Sequence, residues 1–388
     1  MERRSVLAMG AAGAVAVVAG GLGAAAPAFA QTGGRGAKPV SGDPQSLRAL
    51  GAQINLPIGS ALTPQDITQW PQISGGQFSV VTGANAMKWE TVEPARGQYN
   101  WTDADQLMAF AHANHQLVRG HTLLWHNQIP AWLTSGVADG SITTNQLWGL
   151  LEQHIFTEVG RYRGRIWQWD VANEFFTDGN PSSLNPDDWW IKALGPTVVP
   201  KAFQWAHQAD PGALLFYNDY NITGEDGTNA KHNAVYDWVR QLQDSGVPIH
   251  GVGTQAHLDT QYGFDPQRFQ QDLEHFGSLG LKVAVTEADV RTFVDSPQTQ
   301  VPTDSLAQFA QPFEYAAMLE AAISVPAVIS FTVWGFTDAD SWVPGVFTGE
   351  GAACIYDVNQ QPKQAYYSMQ KALELAHGAP RRAAPPRA

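Results

Sequence analysis

The segment IWQWDVANE, residues 166–174, joins an eight-residue run of strand-forming side chains to a glutamate, Glu174. Seven similar runs of five to eight residues occur elsewhere, and they start near Ile54, Phe78, Leu117, Leu214, Ile249, Lys282 and Val328. A helix-like stretch follows each run, as at residues 145–162, 229–245, 266–279 and 306–324. Because strands that alternate with helices at this spacing form parallel βαβ units, eight such units predict a closed (β/α)8 TIM barrel of the α/β class.

A doubly wound open sheet is the alternative arrangement of the same elements. Such a sheet carries a glycine-rich phosphate-binding loop after its first strand, and no fingerprint of that kind follows the first run. The chain has 388 residues, and one α/β barrel commonly occupies about 200–400 residues. We therefore expect one folded unit at residues 43–377, flexible segments at 31–42 and 378–388, and no second module.

The composition excludes several classes of function. The formal net charge is −13 and the isoelectric point is about 5.2. Since nucleic acid is bound through basic surfaces, such a partner is not expected. Cys354 is the single cysteine, so the chain can form neither an intrachain disulfide nor a multi-cysteine zinc site. The 14 tryptophans favour a cleft that stacks flat rings, in addition to a packed core.

The first 30 residues resemble an export signal. Arg3 and Arg4 precede an uncharged stretch that ends in the small-residue cleavage pattern Ala28-Phe29-Ala30. The paired arginines indicate the twin-arginine route. An uncleaved membrane anchor is the alternative, but the stretch is rich in Ala and Gly rather than in Leu and Ile. We therefore predict a cleaved leader, secretion, and no membrane association of the mature chain.

Polar side chains stand at the carboxyl ends of seven of the eight runs. In a barrel these ends meet on one face, which is where active sites lie. A single polar residue at a strand end has little meaning, but seven such ends indicate a functional site. The residues are Asn85, Lys88, His121, Trp125, Asn173, Glu174, Asn218, Asp219, Gln255, His257, Glu287, Asp289 and Trp334.

Two of these residues are glutamates on opposite sides of the predicted barrel. Glu174 follows the fourth run and Glu287 ends the seventh, so the two are 113 residues and three βα units apart. Opposed carboxylates suit glycosidic cleavage, in which one protonates the leaving oxygen and the other attacks or activates water. From spacing alone, each could equally be a buried, hydrogen-bonded carboxylate or an ion-pair partner.

Seven ordered motifs make the chain resemble glycoside hydrolase family 10, the endo-β-1,4-xylanases. The motifs span residues 85–342, and the likeness extends over roughly 43–377. They are NAMKWE (85–90), RGHTLLWHNQIPAW (119–132), WDVANE (169–174), FYNDYN (216–221), GVGTQAHL (251–258), TEADV (286–290) and VWGFTDADSW (333–342). This resemblance implies a (β/α)8 barrel, a retaining double-displacement mechanism, and xylan and xylo-oligosaccharides as substrates.

The resemblance also implies a role for individual residues. Glu174 matches the acid/base and Glu287 the nucleophile, while His257 and Asp289 match a relay that keeps the nucleophile ionised. Asn173 matches the side chain that binds the sugar 2-hydroxyl. The remaining matches are substrate contacts: Lys88, His121 and Gln255 at the cleavage site, Trp125, Trp334 and Trp342 as cleft walls, and Asn85 and Gln128 at the next glycone site.

The sequence departs from the family pattern at one position. Ala84 stands where the family usually has a glutamate, immediately before the asparagine that Asn85 matches. We therefore expect a weakened glycone site. Gln128 and Trp342 match residues that crowd the position of a glucose hydroxymethyl, which favours xylan over the alternative substrate, a β-1,4-glucan.

Cofactors, metals and stable partners are not expected. Four histidines, His112, His115, His121 and His126, lie close together in the sequence. The first two fall on a predicted helix and the last two are expected on opposite faces of a strand, so they do not predict a metal site. A non-catalytic polysaccharide-binding barrel is a further alternative, but both carboxylates are present. We expect a monomer.

Overall fold

A computed structural model describes residues 42–376 of the chain. The predicted leader at 1–30, the predicted tail at 378–388 and all but the last residue of the predicted linker at 31–42 lie outside the described residues. Of the folded unit expected at 43–377, the structure describes all but the last residue.

Ten β-strands are described, and eight of them form a closed parallel barrel. The barrel strands are β1 (Ile58–Leu62), β2 (Val80–Gly83), β3 (Leu117–Trp125), β4 (Gln168–Asn173), β5 (Leu214–Asp219), β6 (Gly251–Thr254), β8 (Lys282–Phe293) and β9 (Val328–Val333). Each pairs in parallel with its neighbour, and β9 returns to pair with β1, with Phe331 opposite Ile58. This closure confirms the predicted barrel and excludes the open sheet.

Two short strands extend the barrel beyond its rim. The first, β7 (His257–Asp259), pairs with the outer half of β8 and places His257 opposite Asp289. The second, β10 (Glu350–Gly351), pairs with the last residues of β8 in antiparallel orientation. The long strand β8 therefore carries side chains from the barrel interior out to the rim.

Helices surround the barrel and connect its strands. They are α1 (Leu47–Gln53), α2 (Pro64–Gln69), α3 (Pro71–Gly76), α4 (Trp89–Val92), α5 (Thr102–Ala113), α6 (Ala131–Ala138), α7 (Thr144–Arg161), α8 (Trp189–Leu194), α9 (Val198–Ala209), α10 (Ala230–Asp244), α11 (Pro266–Ser278), α12 (Ala307–Ser324), α13 (Val343–Val346) and α14 (Gln364–Ala376), with a 3₁₀ turn at Asp338–Asp340. Within residues 42–376, none of them combines the length and the apolar character of a membrane span.

The four helices named from the sequence begin and end within one residue of their predicted bounds. Local capping accounts for where two of them start. Thr143 caps α7 in a reciprocal box with Gln146, and Asp265 accepts hydrogen bonds from the first turn of α11, which starts with Pro266.

The first strand begins later than predicted. The run near Ile54 is the end of helix α1, and β1 starts at Ile58. Leu47, Leu50 and Ile54 are all buried, and their spacing of three and four residues is helical. The side chain of Ser46 caps this helix by accepting a hydrogen bond from the Ala49 N–H. The helical spacing of buried residues therefore continues to Ile54, and the strand starts only after it.

The barrel interior changes from apolar to polar along the strands. At its amino-terminal end a small core contains Val80, Trp167, Phe216, Ala284 and Ile329, while the neighbouring Val81 belongs to the larger core that packs against the helices. Adjacent residues of one strand thus face opposite sides. Further along the strands, buried polar side chains replace the apolar ones, and they lead to the site.

Candidate active site

The two predicted carboxylates are joined by a short chain of buried amides. The Gln255 Nε2 donates to Glu174 Oε1 at 2.8 Å and lies 3.4 Å from Asn173 Oδ1. The Asn218 Nδ2 donates to the same Asn173 oxygen at 2.7 Å and to Glu287 Oε1 at 2.8 Å. The structure therefore brings together side chains from β4, β5, β8 and the segment after β6.

Glu287 is nearly enclosed and is surrounded by positive charge. Its side chain is 6% exposed. The Arg119 Nη2 lies 3.4 Å from Oε1, and the His257 Nε2 lies 3.4 Å from Oε2. Burial acts to raise the pKa of Glu287, but the hydrogen bond with His257 and the charges of His121, His257 and Arg119 lower it to about 2. The carboxylate is thus ionised at neutral pH.

His257 and Asp289 support this carboxylate from the rim. The His257 Nδ1 lies 2.9 Å from Asp289 Oδ1, and the Trp342 Nε1 donates to Asp289 Oδ2 at 2.7 Å. Burial acts to lower the pKa of His257, but Asp289 and Glu287 raise it to about 10. The histidine is therefore a cation held between two carboxylates, and it links Trp342 to Glu287 through Asp289.

Glu174 has a different environment. Its side chain is 15% exposed, and it accepts hydrogen bonds from two neutral donors, the Trp125 Nε1 at 2.8 Å and the Gln255 Nε2 at 2.8 Å. Its backbone has a φ of 63°, the left-handed region that a residue with a side chain seldom adopts. Among residues 42–376, no arginine or lysine forms an ion pair with this carboxylate, and its contact with an ionisable base is with the His126 Nε2 at 4.0 Å.

His121 and Lys88 lie next to the carboxylates. The His121 Nδ1 is 2.8 Å from Asp170 Oδ2, and its ring meets that of Trp334 edge-on, with centroids 5.2 Å apart. The Lys88 Nζ lies 4.7 Å above the ring of Trp125. Burial lowers the pKa of Lys88 to about 8, against the opposing effect of Glu287 and Glu174. Both therefore lie close enough to the glutamates to act on their charge.

Asn85 and Gln128 form a neighbouring polar cluster. The Oδ1 of Asn85 accepts hydrogen bonds from the Lys88 Nζ at 3.0 Å and from the Gln128 Nε2 at 3.3 Å. Ala84 precedes Asn85 and is half-buried. The predicted glycone residues therefore lie together, beside the alanine that replaces the family's glutamate.

Arg119 and Asp170 belong to the site although the sequence analysis gave neither of them a role. Arg119 Nη2 lies 2.6 Å from Asp170 Oδ2, and both side chains are buried below the glutamates. Burial acts to raise the pKa of Asp170, but Arg119 and His121 hold it below its usual value. The sequence did contain a signal for this pair, because Arg119 and Asp170 are opposite charges inside two apolar strand runs. A charge in such a run is buried only if it has a partner, so the two could have been predicted to pair.

His126 lies at the rim of the site, just beyond the end of β3. It is half-buried, with Nε2 4.0 Å from Glu174 Oε2 and Nδ1 3.6 Å from Asp188 Oδ2. His115 lies beyond the end of α5, so its predicted helical position is wrong; a φ of 54° explains why the helix stops before it. Among residues 42–376, no group of three metal-binding side chains is placed to hold an ion.

The arrangement combines a buried carboxylate that is ionised at neutral pH with a second carboxylate that has neutral donors and partial access to solvent. The profile of glycosyl hydrolase family 10 matches residues 46–372. The chain belongs to glycosyl hydrolase family 10. The family resemblance drawn from the motifs is thereby confirmed.

Relatives in this family cover most of the chain. An endo-1,4-beta-xylanase B from Thermotoga neapolitana is 38% identical over 333 residues, which are 84% of this chain and 91% of the relative. An endo-1,4-beta-xylanase from Agaricus bisporus is 39% identical over 289 residues, or 74% and 81% of the two chains. The crystal structure of xylanase 10B from Thermotoga petrophila RKU-1 in complex with xylobiose superposes with a TM-score of 0.78 at 37% identity, covering 86% of this chain and 98% of that one.

Proposed function

We propose that this family 10 member hydrolyses internal β-1,4-xylosidic bonds of xylan with retention of anomeric configuration. Glu287 is the nucleophile and Glu174 is the acid/base. The observation that carries the proposal is the difference between the two carboxylates. Glu287 is held ionised by His257 and Arg119, whereas Glu174 is bound by the neutral donors Trp125 and Gln255.

The reaction has two steps. In the first, Glu174 gives its proton to the leaving glycosidic oxygen while Glu287 attacks the anomeric carbon, which forms a glycosyl ester and releases the reducing-end fragment. In the second, the ionised Glu174 removes a proton from water, and the resulting hydroxide displaces Glu287. Glu287 is then a free carboxylate and Glu174 is protonated again.

The surrounding residues have supporting roles in this proposal. His257 and Asp289 keep Glu287 ionised, and Asn173 binds the sugar 2-hydroxyl. Lys88, His121 and Gln255 contact the xylose at the cleavage site, and Trp125, Trp334 and Trp342 wall the cleft. Asn85 and Gln128 bind the next xylose on the glycone side. Their clustering around the two glutamates supports these assignments.

Xylan is the preferred substrate because xylose lacks the hydroxymethyl group of glucose. In this proposal Gln128 and Trp342 crowd that group, as their match to the family pattern implies, and a clash discriminates as effectively as an added attraction. Polymeric relatives of xylan that carry the hydroxymethyl group, such as β-1,4-glucan, are then poor substrates.

Export and a monomeric state are further parts of the proposal. The twin-arginine-type leader at 1–30 supports secretion, and we expect cleavage after Ala30. Intact-mass measurement of the secreted protein tests the cleavage site. Light scattering of the purified chain tests the monomer, and a stable dimer would contradict it.

Release of reducing ends from xylan and from a soluble β-1,4-glucan tests the activity. We expect hydrolysis of xylan and little hydrolysis of the glucan, with none of either by Glu287→Ala. Faster hydrolysis of the glucan would indicate a glucanase. Binding of xylan without hydrolysis by the wild-type protein would instead indicate a polysaccharide-binding barrel.

A further inference from the structure

The segment that carries Glu174 is fastened to the neighbouring strand β5 by two consecutive backbone amides. The Glu174 N–H donates to the Asn218 carbonyl at 3.0 Å. The Phe175 N–H donates to the Tyr217 hydroxyl oxygen at 3.0 Å. The second bond is made to a side chain, and it secures the peptide that directly follows the left-handed conformation of Glu174, where φ is 63°.

A buried chain of polar contacts holds the Tyr217 hydroxyl in turn. Because this hydroxyl accepts from Phe175, its own proton is available for Asp219 Oδ2, with which it forms a short hydrogen bond. The other oxygen of Asp219 lies 2.9 Å from the Lys231 Nζ, and neither side chain is accessible to solvent. Lys231, from helix α10, also lies 3.2 Å from Asp178 Oδ1 in the loop after Glu174.

This second chain of contacts, which we call the Tyr217 relay, links helix α10 to the peptide after Glu174. Its members are Lys231, Asp219 and Tyr217, and none of them contacts a carboxylate oxygen of Glu174 in the described structure. The Glu174 oxygens reach the Trp125 Nε1 and the Gln255 Nε2, both at 2.8 Å, only if the backbone keeps its left-handed turn. Release of the Phe175 N–H would remove one of the two bonds that hold this turn.

We propose that Tyr217, Asp219 and Lys231 are positioning residues that hold Glu174 where it can exchange a proton with the glycosidic oxygen. This inference rests on the proposed acid/base role of Glu174. The Tyr217 relay contacts the Glu174 segment and does not contact Glu287, so its loss impairs proton transfer and leaves nucleophilic attack intact. A purely structural role would impair both steps equally.

Aryl xylobiosides separate the two roles. A dinitrophenyl leaving group departs without protonation, whereas a phenyl leaving group requires an acid. In Tyr217→Phe, which keeps the ring and removes the hydroxyl, we expect kcat/KM for phenyl xylobioside to fall at least about 10-fold, since small misplacements of a catalytic group are costly. For dinitrophenyl xylobioside we expect kcat/KM to change less than roughly 3-fold, because attack by Glu287 is unaffected.

Tyr162→Phe is the matched control. The Tyr162 hydroxyl also donates to an aspartate, Asp105, at 2.9 Å. Tyr162 lies at the carboxyl end of α7, however, and the chain continues from there into the start of β4, which is the end of the strand opposite to Glu174. This variant should affect both substrates equally and only slightly. Azide, which replaces water without needing a base, should raise turnover of dinitrophenyl xylobioside by Tyr217→Phe but not by Tyr162→Phe.

An equal loss on both glycosides in Tyr217→Phe, or no loss on either, would overturn the inference while leaving the proposed function in place. A wild-type protein that hydrolyses neither glycoside would overturn the proposed function itself. If Tyr217→Phe does not fold, Asp219→Asn takes its place, since asparagine keeps the shape of the side chain and one acceptor oxygen. The same ratio of kcat/KM for the phenyl and dinitrophenyl xylobiosides then decides the outcome.

Discussion

The Nε2 atom of His257 lies 3.4 Å from Oε2 of Glu287, and this contact places a cation beside the buried carboxylate. The same ring contacts Asp289 through its other nitrogen. The pair is therefore charged over a wide pH range, from about 2, the pKa of Glu287, to about 10, the pKa of His257. Both activity and stability should reflect this range.

Stability should fall on the alkaline side because of His257. Its pKa is raised from 6.5 to about 10 in the folded protein, so its contribution is complete below pH 6.5 and is lost as the pH rises through 10. We expect on the order of 5 kcal/mol from this residue, since one pKa unit corresponds to about 1.4 kcal/mol. Urea unfolding across this range should show a steeper loss for the wild type than for His257→Gln. The exposed His112, changed to Gln, is the control and should follow the wild type.

The two glutamates should differ in what their removal abolishes. Glu287→Ala should eliminate hydrolysis of every substrate, because no covalent intermediate can form. Glu174→Ala should lower kcat/KM on xylan by about 10²–10⁴-fold and retain turnover of aryl glycosides with good leaving groups. Proton NMR of the first wild-type product should show the β-anomer. An α-anomer would disprove retention.

Ala84→Glu should strengthen the glycone site. A charged hydrogen bond to a xylose hydroxyl contributes about 1.5–3 kcal/mol, or roughly 10- to 100-fold in affinity. Short substrates depend on this one site for binding, whereas long xylan also binds at other sugar sites along the cleft. We therefore expect kcat/KM to rise much more for aryl xylobiosides than for the polymer. An equal rise on both, or none, would mean that Asn85 does not bind the glycone sugar.

Arg119→Met should destabilise the barrel strongly. The guanidinium pairs with Asp170 at 2.6 Å and donates to the Thr286 carbonyl at 2.8 Å, with no access to solvent for the pair. Its loss leaves Asp170 buried without its strongest counter-charge, which costs about 3–5 kcal/mol. Arg240→Met removes an exposed ion pair with Asp237 and should change the free energy of unfolding little. Similar effects of both variants would contradict this account.

Hydrolysis of xylan should not depend on a metal ion. The proposed steps use only carboxylates and water, and within residues 42–376 no three ligand side chains converge. Prolonged chelation followed by gel filtration should leave kcat unchanged. Loss of activity that one particular ion restores would reveal a site that the chemistry above does not include.

Local patterns account for much of the architecture. The alternation of strand and helix predicted the barrel, and the four helix-like stretches lie within one residue of the observed helices. The first strand was placed too early because Ile54 satisfies a helical and an extended pattern equally. Short apolar runs are ambiguous in this way until their partners are known.

Strand ends also predicted both glutamates and most of their neighbours, because side chains at the carboxyl ends of parallel strands must meet on one face. The pattern did not single out Arg119 or Asp170, which are 51 positions apart in sequence. Their pairing follows from the register of β3 and β4, in which His121 lies opposite Asp170, and no local period contains that information.

The sequence alone thus determined the barrel and the two carboxylates, whereas the tertiary structure determined how those carboxylates differ. Glu174 and Glu287 carry the same functional group, and nothing in their local sequence shows which of them lies among cationic side chains. The pKa of Glu287 depends on burial and on the distances to His257 and Arg119, and these arise only when distant strands close into one barrel.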